Sequence, residues 1–500
     1  MVLWQLASVA GFLPRDAIPS PLNVLVELWS NREAYASNLA ATVFAASIGY
    51  LIGNILAVAA AVVFVRLPVV ERLARGMNMI AFAVPAIAIG PLLAIAFQGV
   101  APQIILAALS VYFITMSVTM AGLREVDPDA LALVHLYGAS RWSAFRWIRL
   151  RSALPHIMSG LRASVTSALL GAMLAEFGTG ATGLGSYLLA SMSLGRPERV
   201  WGIAMVTTTT SLLLFHLISW IAARVTWQPI STFATTGFAR TDDRPASRSA
   251  RFFVAAMATL LPFVFWQSLP LLLNLSPAVI QTPSEIWTYL TSGPEAVTAW
   301  ASILSAAKQT IPLAIAGMAL GGVAALSLAL ARTFFPSLGQ AIVAPVLLLQ
   351  SMPLVALTPL IILALGRGAA ATLAISTSVC FYPAFLTLAQ ALEGTPEAAL
   401  DVLRLYRASP LQMLRIVILQ YLTPYLFTAA RLVAPTGLLG VMTAEWLATG
   451  YGFGGLMNEA RGNLDYGMIW TVASITVFIS LGLYELILAI ERAVRSLRES

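Results

Sequence analysis

The sequence has almost no lysine: of its 29 basic residues, every one except Lys308 is arginine. A phosphate-binding loop needs a lysine directly after a glycine-rich turn, and Lys308 follows Ser305-Ala306-Ala307. The chain does not bind ATP in that way. Cysteine is as scarce. Cys380 stands alone in an apolar run, which excludes an intramolecular disulfide and reads as a small buried hydrophobe. The three histidines, His135, His156 and His216, are far apart and suggest no metal site. Charge is the largest deficit: 10% of the 500 residues are charged and 59% hydrophobic, against roughly 25% charged in an ordinary soluble domain. A soluble fold of this length could not cover itself with so few charges. Several runs exceed the ~20 apolar residues that cross a bilayer, so the expected class is an all-α polytopic membrane protein. The net charge of +7 must then be read loop by loop and is no nucleic-acid signal.

Apolar segments at 36–65, 78–97, 101–123, 157–176 and 199–223 read as membrane helices, followed by others at 252–273, 301–331, 340–364, 368–391, 426–447 and 466–490. The expected count is about 11, five or six plus six. The first dozen residues are too short a run for a comfortable span and read as a short or truncated first helix. A hydrophilic break centred on Thr241-Asp242-Asp243-Arg244-Pro245 reads as a linker. The expected organisation is a first domain over 1–224, a cytoplasmic linker over 225–251 and a second domain over 252–500.

The two domains are copies. Leu136-Tyr137-Gly138-Ala139-Ser140, Arg146, Leu150, Pro155 and Arg162 recur 269 positions later as Leu405-Tyr406-Arg407-Ala408-Ser409, Arg415, Leu419, Pro424 and Arg431. Glu176, Gly183 and Gly185 recur at the same offset as Glu445, Gly452 and Gly454. Thr42, Gly49, Gly53, Pro85 and Pro91 recur 268 positions later as Thr310, Gly317, Gly321, Pro353 and Pro359. Such a register identifies a tandem duplication. Placing both polar stretches in the cytoplasm puts all basic residues there except Arg15, Arg32, Arg196, Arg199, Lys308, Arg367 and Arg461, as the positive-inside rule favours. Both copies then share one orientation, and a parallel repeat encloses a path between its halves.

Each polar stretch begins with a helix start signal. Thr395-Pro396-Glu397 supplies a capping residue, a proline for the first turn and an acid, and Asp127-Pro128-Asp129 does the same one residue out of step. The small pairs Ala139-Ser140 and Ala408-Ser409 allow a sharp turn into a second helix. A short cytoplasmic helix with Leu and Tyr projecting suits insertion into a groove on a partner.

This layout resembles the inner-membrane permeases of ABC importers, whose cytoplasmic loop carries a Glu-Ala-Ala, three residues, Gly motif and docks on the ATPase. The downstream Ala175-Glu176 with Gly183-Leu184-Gly185, and Ala444-Glu445 with Gly452-Phe453-Gly454, resemble the taurine, sulfonate, nitrate and thiamine-precursor branch. Pro19-Ser20-Pro21 and Thr282-Pro283-Ser284 resemble the turn these permeases carry after their first helix. The resemblance implies a bacterial inner-membrane, multi-pass permease with no cofactor of its own and membrane lipid around it. It also implies two copies of an ABC ATPase that hold the ATP and magnesium, and an extracytoplasmic solute-binding protein. The motif is degenerate at different places in the two copies. Ala132 stands at the acid's place with Gly138 kept, while Asp401 keeps the acid and Arg407 replaces the glycine. Because arginine does not adopt positive φ as cheaply as glycine, unequal docking of the two loops is expected.

Other matched residues carry two readings each. Pro85, Pro91, Pro353 and Pro359 either shape packing or line the path. Glu176 and Glu445 are structural or are functional acids by default, with the glycines after them forming tight outer turns or a gate. The Gly-x-x-x-Gly pairs read as close helix contacts. A proton-coupled secondary transporter using Glu176 and Glu445 is the alternative from another class, and a non-transporting scaffold is a third. The solute is not legible.

Overall fold

The computed structural model describes residues 18–83, 86–126, 128–225, 248–273, 280–292, 296–334 and 352–499. Among them there is no strand. The first half comprises α1 (Pro21–Ser30), α2 (Arg32–Arg66), α3 (Pro68–Ala83), α4 (Ala86–Ala96), α5 (Ala101–Arg124), α6 (Pro128–Leu136), α7 (Arg141–Ala144), α8 (Leu150–Thr179), α9 (Leu184–Ser193) and α10 (Pro197–Val225). The second comprises α11 (Arg248–Leu273), α12 (Pro283–Thr291), α13 (Ala296–Phe334), α14 (Leu354–Leu365), α15 (Ala369–Glu393), α16 (Glu397–Leu405), α17 (Pro410–Met413), α18 (Leu419–Ala444), α19 (Gly452–Gly462) and α20 (Tyr466–Glu499). Three π-helical turns, Phe145–Arg149, Leu414–Ile418 and Glu445–Thr449, join some of these helices.

Eight helices among the described residues are long and apolar enough to cross a membrane. The expected span at 157–176 is the far part of a run from Trp142 to Thr179, and that at 426–447 belongs to a run from Pro410 to Thr449. The expected span at 78–97 is divided between α3 and α4. Of the segment 340–364, only α14 and the two residues before it are described. Helix α11 covers the expected 252–273. The amino-terminal stub, most of the linker and Pro85 lie outside the described residues.

Local chemistry sets several of these boundaries. Before α1, the Ser20 hydroxyl accepts from the Asn23 amide at 3.2 Å and Pro21 opens the helix. Before α12, Thr282 and Glu285 form a capping box, each side chain meeting the other's backbone. Thr395, expected as a cap, is not one: Pro396 takes the N-cap position of α16, and the Thr395 hydroxyl is buried without a hydrogen-bond partner. Proline at that place fixes the entry φ by itself.

The Gly-x-x-x-Gly pairs bring helices to near-backbone contact. A Cβ on Gly49 would lie 2.6 Å from the Ala107 Cβ of α5, and one on Gly321 would lie 2.8 Å from the Cys380 Cβ of α15. Cys380 is accordingly a buried packing residue.

The halves join through reciprocal contacts. Helix α4, which carries Pro91, packs on α18, α19 and α20, and α14, which carries Pro359, packs on α8, α9 and α10. These are repeat-equivalent elements, so the interface has the self-complementary form of a twofold pair. Helix α11 also crosses to the first half and lies against α3. At the end carrying the glycine pairs, one apolar cluster contains residues of both halves, among them Ile87, Leu174 and Phe177 with Val355, Leu360 and Phe453. At the opposite end the clusters are separate, one around Phe64, Phe113 and Phe145, the other around Phe385, Leu388 and Leu422.

Candidate functional site

Two polar loops stand at the end where the halves have separate cores. Helices α6 and α16 span matched positions, and each closes in the same hydrogen-bonded turn. Ala139 N donates to the Val134 carbonyl at 3.2 Å, and Ala408 N to the Leu403 carbonyl at 3.0 Å. This closure requires a left-handed residue just before the donor. Gly138 supplies it with φ of 78°, and Arg407 supplies it with φ of 52°. The second copy therefore keeps the turn despite losing the glycine, at a cost of about 1–2 kcal/mol for an L-residue. Ser140 and Ser409 then cap the next short helix: the Ser143 amide donates to Ser140 at 3.2 Å, and Gln412 completes a capping box with Ser409. Their small size was legible in the sequence. Their capping role was not assigned, although a serine three residues before Gln412 is a readable signal.

The turn projects apolar side chains into the open. Leu136 and Tyr137 are each 84% exposed, and Leu405 and Tyr406 each 83%. Ala132 and Asp401 occupy matched exposed positions on α6 and α16. Asp401 is bridged by Arg404 at 2.7 Å, a pair that is well exposed. Arg146 and Arg415 lie in matched π-helical turns and are exposed. Pro155 and Pro424 sit in the helices that follow, the second more exposed than the first. The first loop has an extra fixture. Arg66 lies over the Trp142 ring at 4.5 Å and the Phe145 ring at 5.3 Å, whereas leucines 411 and 414 stand at the matched positions of the second loop.

At the opposite end, each repeated glutamate ties its helix to the turn that follows. Glu176 is buried and accepts from the Thr42 hydroxyl at 2.7 Å and from the Gly185 amide at 2.6 Å. The same Thr42 oxygen accepts from the Leu184 amide at 2.8 Å. Glu445 is buried likewise. It accepts from Thr310 at 2.7 Å and from the Gly454 amide at 3.0 Å, and Thr310 accepts from Phe453 N at 2.9 Å. The glycines are required by these carboxylates. A Cβ on Gly183 would run into Glu176 and one on Gly452 into Glu445, and Gly452 also has φ of 73°. Thr42 and Thr310 were visible as repeated residues but were not linked to the glutamates, more than 130 positions away. A threonine kept at the same place in both copies was the available clue.

The same spacing from glutamate to glycine is traversed differently in the two copies. After Glu176 the α-helix ends at Gly180, whereas after Glu445 a π turn carries the chain one residue further, to Gly450. Pro91 and Pro359 are buried within α4 and α14, and Pro353 is buried at the start of α14. All three lie where the two halves meet. No group of three or more His, Cys, Asp or Glu residues that could hold a metal ion occurs among the described residues.

The family model described as binding-protein-dependent transport system inner membrane component matches twice, over residues 36–227 and 317–496. A probable ABC transporter permease protein of Haemophilus influenzae is 26% identical over 228 residues, covering 45% of this chain and 93% of the relative. The riboflavin transport system permease protein RibX of Chloroflexus aurantiacus is 28% identical over 236 residues, covering 46% of this chain and 87% of its own. The putative aliphatic sulfonates transport permease protein SsuC of Escherichia coli is 30% identical over 189 residues, covering 37% of this chain and 72% of its own.

Proposed function

The chain belongs to the binding-protein-dependent transport system inner membrane components, the permeases of ABC importers, and on that premise we propose that it supplies both membrane halves of one importer. It is a multi-pass inner-membrane translocation subunit that works with an ATPase and a solute-binding protein. These relatives align over most of their own length with less than half of this chain, and the family model occurs twice in it. One copy of this chain therefore does the work of two ordinary permease subunits.

In this reading two copies of an ABC ATPase, which hold the ATP and magnesium, sit beneath the two polar loops. The observation that carries it is the pair of exposed Leu-Tyr turns, identical in backbone closure and both at one end. Leu136, Tyr137 and Arg146 are matched by Leu405, Tyr406 and Arg415, so one kind of ATPase groove fits both. The structure joins the halves at the outer end and leaves separate cores at the loop end. That arrangement fits the inward-open member of an alternating-access pair, in which closure of the ATPases draws the loops together and rocks the halves about the path. The outer turns at Gly183-Gly185 and Gly452-Gly454, with Pro91, Pro353 and Pro359 beside them, form the gate in this scheme. The solute is small and polar or anionic, in keeping with the sulfonate relative.

Proton coupling through Glu176 and Glu445 has no relative behind it, and both carboxylates are engaged by hydroxyl and backbone donors. The decisive experiment combines Tyr137→Asp with deletion of residues 403–408. Co-purification of the ATPase and ATP-driven uptake are both expected to vanish. Retention of both would overturn the reading.

A further inference from the structure

A hydrogen bond with no repeat counterpart crosses the interface between the halves. Arg461, in the last turn of α19, donates from Nη2 to the carbonyl oxygen of Gly178 at 3.0 Å, across 283 positions of sequence and from the second half to the first. The acceptor is in the last turn of α8, where backbone carbonyls have no partner within the helix. It is also held firmly. A Cβ on Gly178 would lie 2.9 Å from the Gly90 carbonyl, so α8 and α4 are in backbone contact at this point. Two residues earlier, Glu176 is fixed by Thr42 and Gly185. The donor helix is anchored just as firmly at its start, through Gly454 to Glu445 and Phe453 to Thr310. Arg461 is half-buried, and burial draws its pKa down from the ordinary arginine value.

A partly desolvated guanidinium gains from a good acceptor, because a hydrogen bond from a charged donor is stronger than a neutral one. The contact is also one-sided. The repeat-equivalent position of Arg461 is Met192, whose thioether donates no hydrogen bond, and that of Gly178 is Leu447. Helix α19 itself packs against α4 of the first half. Any motion that parts the halves at the outer end must break this bond, while the apolar cluster around it only slides apart.

We propose that Arg461 is the latch of the outer gate, a positioning residue that holds the path shut on the extracytoplasmic side through the Gly178 carbonyl. This rests on the alternating-access reading above. The latch sets the resting bias of the gate, so that opening waits for the loops to be drawn together from below. It also makes the two halves inequivalent at the outer face, although their clamps at Glu176 and Glu445 are alike.

The test uses the full complex of permease, ATPase and binding protein in lipid vesicles. Met457, fully buried in the shared outer cluster on α19, is changed to cysteine in a Cys380→Ala background and labelled from outside with an impermeant maleimide. With Arg461 present, labelling is expected to be slow without nucleotide and fast when ATP and vanadate trap the closed ATPase. Arg461→Met is expected to speed the nucleotide-free labelling about tenfold, the shift in population that follows loss of one hydrogen bond to a charged group. ATPase activity without binding protein should rise with it. Arg461→Lys, which keeps a cationic donor, should restore slow labelling, a rescue that a merely structural defect would not give. Equal labelling in the Met variant and the parent, with the vanadate response intact, overturns the latch alone. Absence of any vanadate response in the parent overturns alternating access itself. If the Met variant fails to assemble with the ATPase while the Lys variant assembles, labelling of Arg461→Gln decides the matter by the same criterion.

Discussion

The Thr310 hydroxyl lies within hydrogen-bonding distance of both Glu445 carboxylate oxygens, at 2.7 and 2.9 Å, and Thr42 meets Glu176 at 2.7 Å in the other half. In each case the hydroxyl also receives a backbone amide from the outer turn, so one small side chain serves as acceptor and donor together. Replacing Thr42 or Thr310 by valine keeps the shape and leaves a buried amide and a carboxylate oxygen without their partner. Each change is expected to destabilise the protein by about 3 kcal/mol. A fall of several degrees in the melting temperature of the purified complex, largely restored by serine, checks this. An unchanged melting temperature would remove the clamp from the account.

The outer glycines differ from glycines elsewhere in what surrounds them. Gly183→Ala and Gly452→Ala push a methyl group into a fixed carboxylate, and Gly452 adds the penalty of a left-handed backbone. Both are expected to abolish uptake and lower expression of folded protein. Gly482→Ala, in α20 with nothing near the added carbon, is the control and should be neutral or mildly stabilising, as alanine is the better helix former by up to about 1 kcal/mol. Chromatography of solubilised protein separates the outcomes.

At the loops, the strain at Arg407 can be relieved. Arg407→Gly should stabilise the turn by about 1 kcal/mol, since glycine adopts the left-handed conformation without steric cost. Its mirror, Gly138→Ala, should weaken the first loop by a similar amount. Transport per ATP hydrolysed, measured beside thermal stability, tells whether the turn's rigidity feeds into coupling. The idea fails if Arg407→Gly lowers stability.

The clamp of Arg66 on Trp142 belongs to the first loop alone. Trp142→Ala is expected to cost roughly 1–2 kcal/mol of local stability, from a partly shielded cation–π contact and lost ring packing. Hydrogen exchange over 128–144 should quicken, while Leu411→Ala should leave 397–413 nearly unchanged. Equal effects in the two loops would deny the asymmetry.

Much of this was readable from residues at fixed offsets. The duplication, the paired loops and the left-handed demand at Gly138 all follow from relations local in sequence or repeated at one spacing. The same reading failed at Thr395, because a helix start signal does not say which of two adjacent residues takes the cap. It also stopped short at Glu176 and Glu445, where two roles stayed open until Thr42 and Thr310 were found beside them.

By itself, the sequence determined a twofold all-helical membrane protein with two repeated polar loops and no lysine after a glycine-rich turn, since those depend on composition, length and register. Only the tertiary structure decided that Arg407 keeps the turn, that α4 and α14 exchange places against the opposite halves, and that Arg461 reaches Gly178. The reason is physical. Hydrophobic burial specifies which faces are covered but not by which partner, and a hydrogen bond between residues 283 positions apart leaves no periodic trace in the chain.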